Sequence, residues 1–80
     1  MSTLYDRIWY NHKQYSLLIN RKEKQAIEQL VTKLLPLETE IINDPDGRIM
    51  IDKSGYIYID GFRRDVAEKI TRILAEGRGA

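Results

Sequence analysis

The chain has no cysteine. Disulfide bracing, thiolate chemistry and cysteine-ligated zinc are thereby excluded. It has one histidine, His12, whose neighbours Asn11 and Lys13 offer no carboxylate to orient it. A solvated turn residue accounts for it better than a ligand or proton shuttle. No apolar run is long enough to cross a bilayer. The start, Met1-Ser2-Thr3-Leu4-Tyr5-Asp6, lacks the basic and apolar regions of a secretory signal. These absences point to a cytoplasmic chain. No repeat or low-complexity tract interrupts its 80 residues. Such a length buries about two-thirds of the surface the unfolded chain exposes, enough for one core and little for a deep cleft. One compact domain over 1–76 and a short flexible tail over 77–80 are expected.

What is present is ordinary for a globular domain: 42% apolar and 31% charged residues. Thirteen Lys and Arg face twelve Asp and Glu, a net charge of +1. By segment the charge runs +3 over 1–33, −4 over 34–60 and +2 over 61–80. A dedicated nucleic-acid binder carries a clearer basic excess, because its affinity comes largely from neutralising phosphates.

Two turns stand out. Asp44-Pro45-Asp46-Gly47 and Asp52-Lys53-Ser54-Gly55 share the pattern of a type I turn closed by a left-handed glycine bulge. The flanking isoleucines and tyrosines suit strands. The sequence therefore predicts an antiparallel meander over 38–43, 48–52 and 56–60. Counting outward from the turns places Asn43, Ile49 and Ile59 in one row and Ile41, Ile51 and Ile57 in the next. Both rows lie on one face, the core side. The opposite face receives Glu40, Asp52 and Tyr56, then Ile42, Met50 and Tyr58, then Asp44, Arg48 and Asp60.

Two helices cover the isoleucines. The first, about 21–35, is capped by Asn20, carries Ala26, Ile27, Leu30, Val31 and Leu34 on one stripe, and is stopped by Pro36. The second, about 62–76, carries Phe62, Val66, Ile70, Ile73 and Leu74 and ends at a Gly77 cap. Asp65 with Lys69 and Glu68 with Arg72 have ion-pair spacing on its outer side. Residues 4–19 admit two readings. Arg7–Tyr10 pairs with Tyr15–Ile19 as a hairpin across 11–14, or Thr3 and Asp6 cap a helix carrying Leu4, Ile8 and Trp9. The hairpin gives the order ββαβββα and an α+β fold.

No catalytic constellation emerges. Asp44–Ile49 resembles the middle of an EF-hand loop, but Ile42 and Lys53 stand where its first and last ligands belong. Glu40 opposite Asp52 is the nearest pair of carboxylates, on an open sheet face. Lys53–Ile59 is similar to the basic-glycine-aromatic strand of RNA-binding sheets, yet four acids share its face with Arg48 alone. The anomaly is the apolar stripe Ile42, Met50 and Tyr58, on a face that an antiparallel sheet normally keeps polar. An apolar centre inside a charged rim is the anatomy of a protein interface. The internal alternative is that Trp9 and Tyr10 fold over it. The expected function is non-catalytic binding of a protein partner or a second copy, through Ile42, Met50, Tyr56, Tyr58 and Arg48 or through an edge strand. Nucleic-acid binding through Arg21, Lys22, Lys24, Arg63 and Arg64 is the alternative. No cofactor, metal, membrane or small-molecule substrate is expected.

Overall fold

A helix layer lies on one face of a four-stranded mixed sheet in the computed structural model, which describes residues 3–76. The expected tail and the Gly77 cap lie outside the described residues. The strands are β1 (Ile8–Tyr10), β2 (Lys13–Gln14), β3 (Arg48–Ile51) and β4 (Ile57–Asp60), in the spatial order β2-β1-β3-β4. The helices are α1 (Arg21–Leu34), α2 (Glu38–Ile42) and α3 (Arg64–Glu76).

The β3–β4 hairpin has the expected register: Arg48 opposite Asp60, Ile49 opposite Ile59, Met50 opposite Tyr58 and Ile51 opposite Ile57. Its turn behaves as its residues dictate. The Asp52 N–H donates to the Tyr56 carbonyl at 3.0 Å, and Gly55 takes the left-handed conformation at φ +88°. The third strand of the meander is a different segment. Residues 38–43 are not a strand but mostly α2, and β1 takes their place beside β3, running parallel to it. The rows are therefore Ile8–Ile49–Ile59 and Tyr10–Ile51–Ile57.

The reason lies at Pro36. It sits in the first turn of a short 3-10 segment, Leu35–Leu37, where no amide donor is required. The proline thus restarts helical structure after α1. Leu34, Leu37 and Ile41 are all buried, a helical spacing, and Glu38 and Glu40 occupy the favourable N-terminal turn of α2. Ile41 still reaches the core, from a helix instead of a strand.

Both N-terminal readings are partly realised. The Thr3 N–H donates to the Asp6 carboxylate at 3.0 Å, over a single 3-10 turn, Leu4–Arg7. A hairpin follows, shorter than expected: β1 pairs with Lys13–Gln14, and Tyr15–Leu17 form a 3-10 turn. Asn11 and His12 both have positive φ, 48° and 67°, as a two-residue hairpin loop demands. In α1, the Asn20 side chain accepts from the Lys22 N–H at 2.8 Å, as its capping role requires. The last helix begins at Arg64, later than expected, because Phe62 is used elsewhere. Its ring covers Gly47, where any Cβ would collide with it. Gly47 is thus required for space, and the left-handed bulge expected there does not form.

Leu4, Ile8, Ile27, Leu34, Ile41, Ile49 and Ile70 form the centre of the core, each almost inaccessible. At its border lies a buried charge. Arg7 donates to the carbonyls of Asp44 at 2.8 Å, Gly47 at 3.2 Å and Ile42 at 3.2 Å. The Asp44 carboxylate in turn accepts from the Arg63 N–H at 2.8 Å, just ahead of α3. The guanidinium thereby ties the N-terminal turn to the end of α2 and the turn after it, and the Asp44 carboxylate ties that second turn to the entry of α3.

Arg7→Leu is expected to lower stability by about 2–4 kcal/mol, since it strands buried carbonyls. The domain has roughly 4–12 kcal/mol in total, so urea titration would show a large loss of midpoint. A midpoint close to wild type would refute the role. Gly47→Ala is expected to cost about 1–3 kcal/mol through overpacking. In a Phe62→Leu background the same change should cost less; equal costs in both backgrounds would show that the ring is not the obstacle.

Candidate interaction face

The molecule measures 34 × 33 × 18 Å, and the short dimension accommodates one helix layer and one sheet. Ile8, Ile49 and Ile51 point into the helix layer. Alternate residues must then project from the other face. On it lies a continuous cross-strand row, Gln14–Trp9–Met50–Tyr58. Trp9 and Met50 are half-buried by their neighbours in the sheet, whereas Tyr58 is 37% and Tyr56 58% exposed.

The row is reinforced sideways. Tyr56 stacks on Tyr58, ring centroids 6.1 Å apart and planes 22° apart. The Arg48 guanidinium lies over the Trp9 ring at 5.6 Å from its centroid. Such contacts hold large side chains in fixed positions and lower the entropy lost on binding.

Of the five residues expected here, Met50, Tyr56, Tyr58 and Arg48 come together. Ile42 does not: it ends α2, and its carbonyl accepts from Arg7. Trp9 takes its position in the row. Trp9 does not fold over the stripe; it lies beside Met50 within the sheet. The alternation of Ile8, Trp9 and Tyr10, with Ile8 in the core, is the signal that assigns Trp9 to the outer face. The acidic rim is also thinner than expected. Glu40 belongs to α2 and Asp44 is buried, which leaves Asp52 and Asp60 against Arg48. The Glu40–Asp52 pair of carboxylates is thereby dissolved.

The basic residues at the helix starts are partly engaged within the chain. Arg63 Nε stands 3.9 Å from the Asp44 carboxylate. Lys24 Nζ lies 5.9 Å from the Tyr15 ring centroid, and Tyr15 itself packs against Tyr5. Desolvation, with the nearby Glu28 and Tyr5, raises the Tyr15 pKa. Arg21, Lys22 and Arg64 are exposed. Arg63–Asp44 is the only ion pair among the described residues, so the Asp65–Lys69 and Glu68–Arg72 pairs do not close. Among those residues no three of His, Asp and Glu gather as a metal site, and no helix is long and apolar enough to cross a membrane.

Asp52 positions Tyr56. Its Oδ1 accepts from the Ser54 hydroxyl at 2.6 Å and from the N–H groups of Ser54 and Tyr56 at 2.9 Å each. The Ser54 hydroxyl, with the Tyr56 N–H, holds this carboxyl below its ordinary 3.8. Because the folded value is the lower one, the contribution is whole above that ordinary value. It is lost as pH falls through the folded value. Asp52→Asn is therefore expected to flatten the acid limb of stability below about pH 4. Thermal melts across that range check it; an unchanged acid limb would contradict it.

Comparison with known protein families, with curated proteins and with solved structures returned no match.

Proposed function

We propose that the protein is a non-catalytic binding module whose outer sheet face receives a protein partner. One observation carries this reading: Trp9, Met50, Tyr58 and Tyr56 form a pre-ordered row on the outer face, with both tyrosines exposed. Trp, Tyr and Arg dominate the energetics of protein interfaces, and methionine is enriched there. An isolated domain gains nothing by showing water such a row. The flanking charges, Arg48 against Asp52 and Asp60, favour a partner with a mixed polar rim. They do not favour phosphates, and Arg63 and Lys24 each lie near a group of the chain itself.

The double variant Met50→Ser with Tyr58→Thr tests the reading. It should keep the wild-type circular dichroism and melt within a few degrees of it, since neither side chain serves the core. Loss of one aromatic anchor commonly costs about 2 kcal/mol, or roughly thirtyfold in affinity. Proteins that co-purify with the wild type should accordingly be lost. Trp9 emission should shift to the blue when a partner binds the wild type. Retention of the same partner by the double variant would refute the face. Retention of nucleic acid that falls steeply with salt would favour the basic helix starts instead.

A further inference from the structure

The two edges of the sheet are built differently. β2 is two residues long and carries Lys13, so it offers a partner strand little to pair with. β4 is longer, has neither lysine nor proline, and bears one charge, Asp60, at its end. The hydrogen-bonding phase of β4 follows from two bonds. The Ile51 carbonyl accepts from the Asn11 N–H at 2.8 Å, so Ile51 faces β1. The Asp52 N–H reaches the Tyr56 carbonyl, so Asp52, and with it Met50, faces β4. Tyr58 is then bonded to Met50, and the N–H and C=O of Ile57 and Ile59 point away from the sheet.

Beside that edge lies a groove of ≈ 450 Å³ between β4 and α3, lined by Ile57, Tyr58, Ile59, Thr71, Leu74 and Ala75 among others. Thr71 and Ala75 also border a shallow hollow on the exposed flank of α3, with Ala67, Glu68 and Arg72. Ala67, Thr71 and Ala75 recur every four residues, a stripe of small side chains against which a second helix can pack closely. Glu68 and Arg72 lie one turn apart on the same side of Thr71, and neither has an ion-pair partner among the described residues.

From this juxtaposition we infer that β4 and α3 pair with a second copy of the chain about a two-fold axis. Tyr58 is the midpoint of Ile57–Ile59, and Thr71 is the midpoint of the small-residue stripe. Both line the same groove, and the proposed axis runs through it at these two midpoints. In the sheet layer Ile57 pairs with Ile59 of the second copy, and Ile59 with its Ile57, each pair exchanging both backbone bonds. In the helix layer the antiparallel crossing at Thr71 brings Glu68 near Arg72 of the second copy, and the reverse. The interface is self-complementary, as a two-fold contact must be. A contact about 20 Å long, the length of α3, on a molecule 18 Å thick falls below the roughly 1,200 Å² of standard interfaces. The dimer is therefore weak and concentration-dependent. Its sheet is continuous, and the two Trp9–Met50–Tyr58 rows meet at the axis. The inference does not rest on the outer face binding a partner.

Sedimentation equilibrium from micromolar to millimolar concentration tests it, together with hydrogen exchange. The wild type should pass from 9.4 kDa to twice that mass. The Ile57 and Ile59 amides should gain protection as it does. Glu68→Arg and Arg72→Glu should each raise the dissociation constant by about tenfold or more, because like charges then face each other. The two changes together should restore it. Thr71→Arg, which sets a cation against its own copy, should abolish the dimer while circular dichroism stays unchanged. A chain monomeric throughout overturns the inference. So does a dimer that ignores the charge exchange and leaves the Ile57 and Ile59 amides unprotected, which would place self-association on the outer face. Amides protected only by an added extended peptide, with no self-association, would make β4 a site for another chain and would equally overturn it.

Discussion

The Arg7 guanidinium is the constraint on which the arrangement depends. A buried cation is costly unless its charge finds polar partners, and here carbonyls of Ile42, Asp44 and Gly47 converge on it. Those carbonyls belong to the end of α2 and to the turn after it, and no strand at 38–43 would present them together. Asp44, fixed by its backbone, then directs its carboxylate to the Arg63 N–H at the entry to α3. Phe62 closes over Gly47 from the same corner. The chain's first turn, α2, β3 and α3 are thus joined through polar bonds at the rim of a wholly aliphatic core.

What was legible in the sequence followed the range of the interaction. The β3–β4 hairpin is set by Asp52, Ser54 and Gly55, residues within a few positions of each other, and its pairing could be counted residue by residue. The stripe of α1 and its Asn20 cap are equally local. The pairing of β1 with β3 is not. It joins Ile8 to Ile49 across α1, and no turn announces a parallel neighbour. Pro36 ends α1 as expected but also opens the next helical turn, and only the burial of Leu37 and Ile41 reveals that second role. The glycine at 47 does close its turn, donating its N–H to the Asp44 carbonyl at 3.2 Å, though not in the left-handed conformation. Its actual requirement, room for Phe62, involves a residue fifteen positions away and leaves no local mark.

The outer face was legible to the same extent. Met50, Tyr56, Tyr58 and Arg48 all belong to the hairpin, and counting placed them correctly. Ile42 was placed there only through the strand that α2 replaces. Trp9 completes the row because β1 fills the vacant neighbour of β3, and the alternation of β1 then leaves the indole no other side. The chemistry of the stripe survived the change of one member, and its flanking charge did not: two of four expected acids left it.

The position of β1 also has a consequence for the order of events during folding. The β3–β4 hairpin needs contacts only a few residues apart, whereas the contacts of Ile8 with Ile49 and of Arg7 with Asp44 close loops of about forty residues. The centre of the sheet should accordingly be completed late, after α1 has brought the N-terminal segment across. Until then β3 and β4 form a two-stranded ribbon with both edges open, when the chain is most exposed to pairing with its neighbours. Substitutions in the hairpin should then slow folding, and those in β1 should mainly speed unfolding. Stopped-flow rates for Ile59→Val and Ile8→Val would separate the two, and equal effects of both on the folding rate would rule this order out.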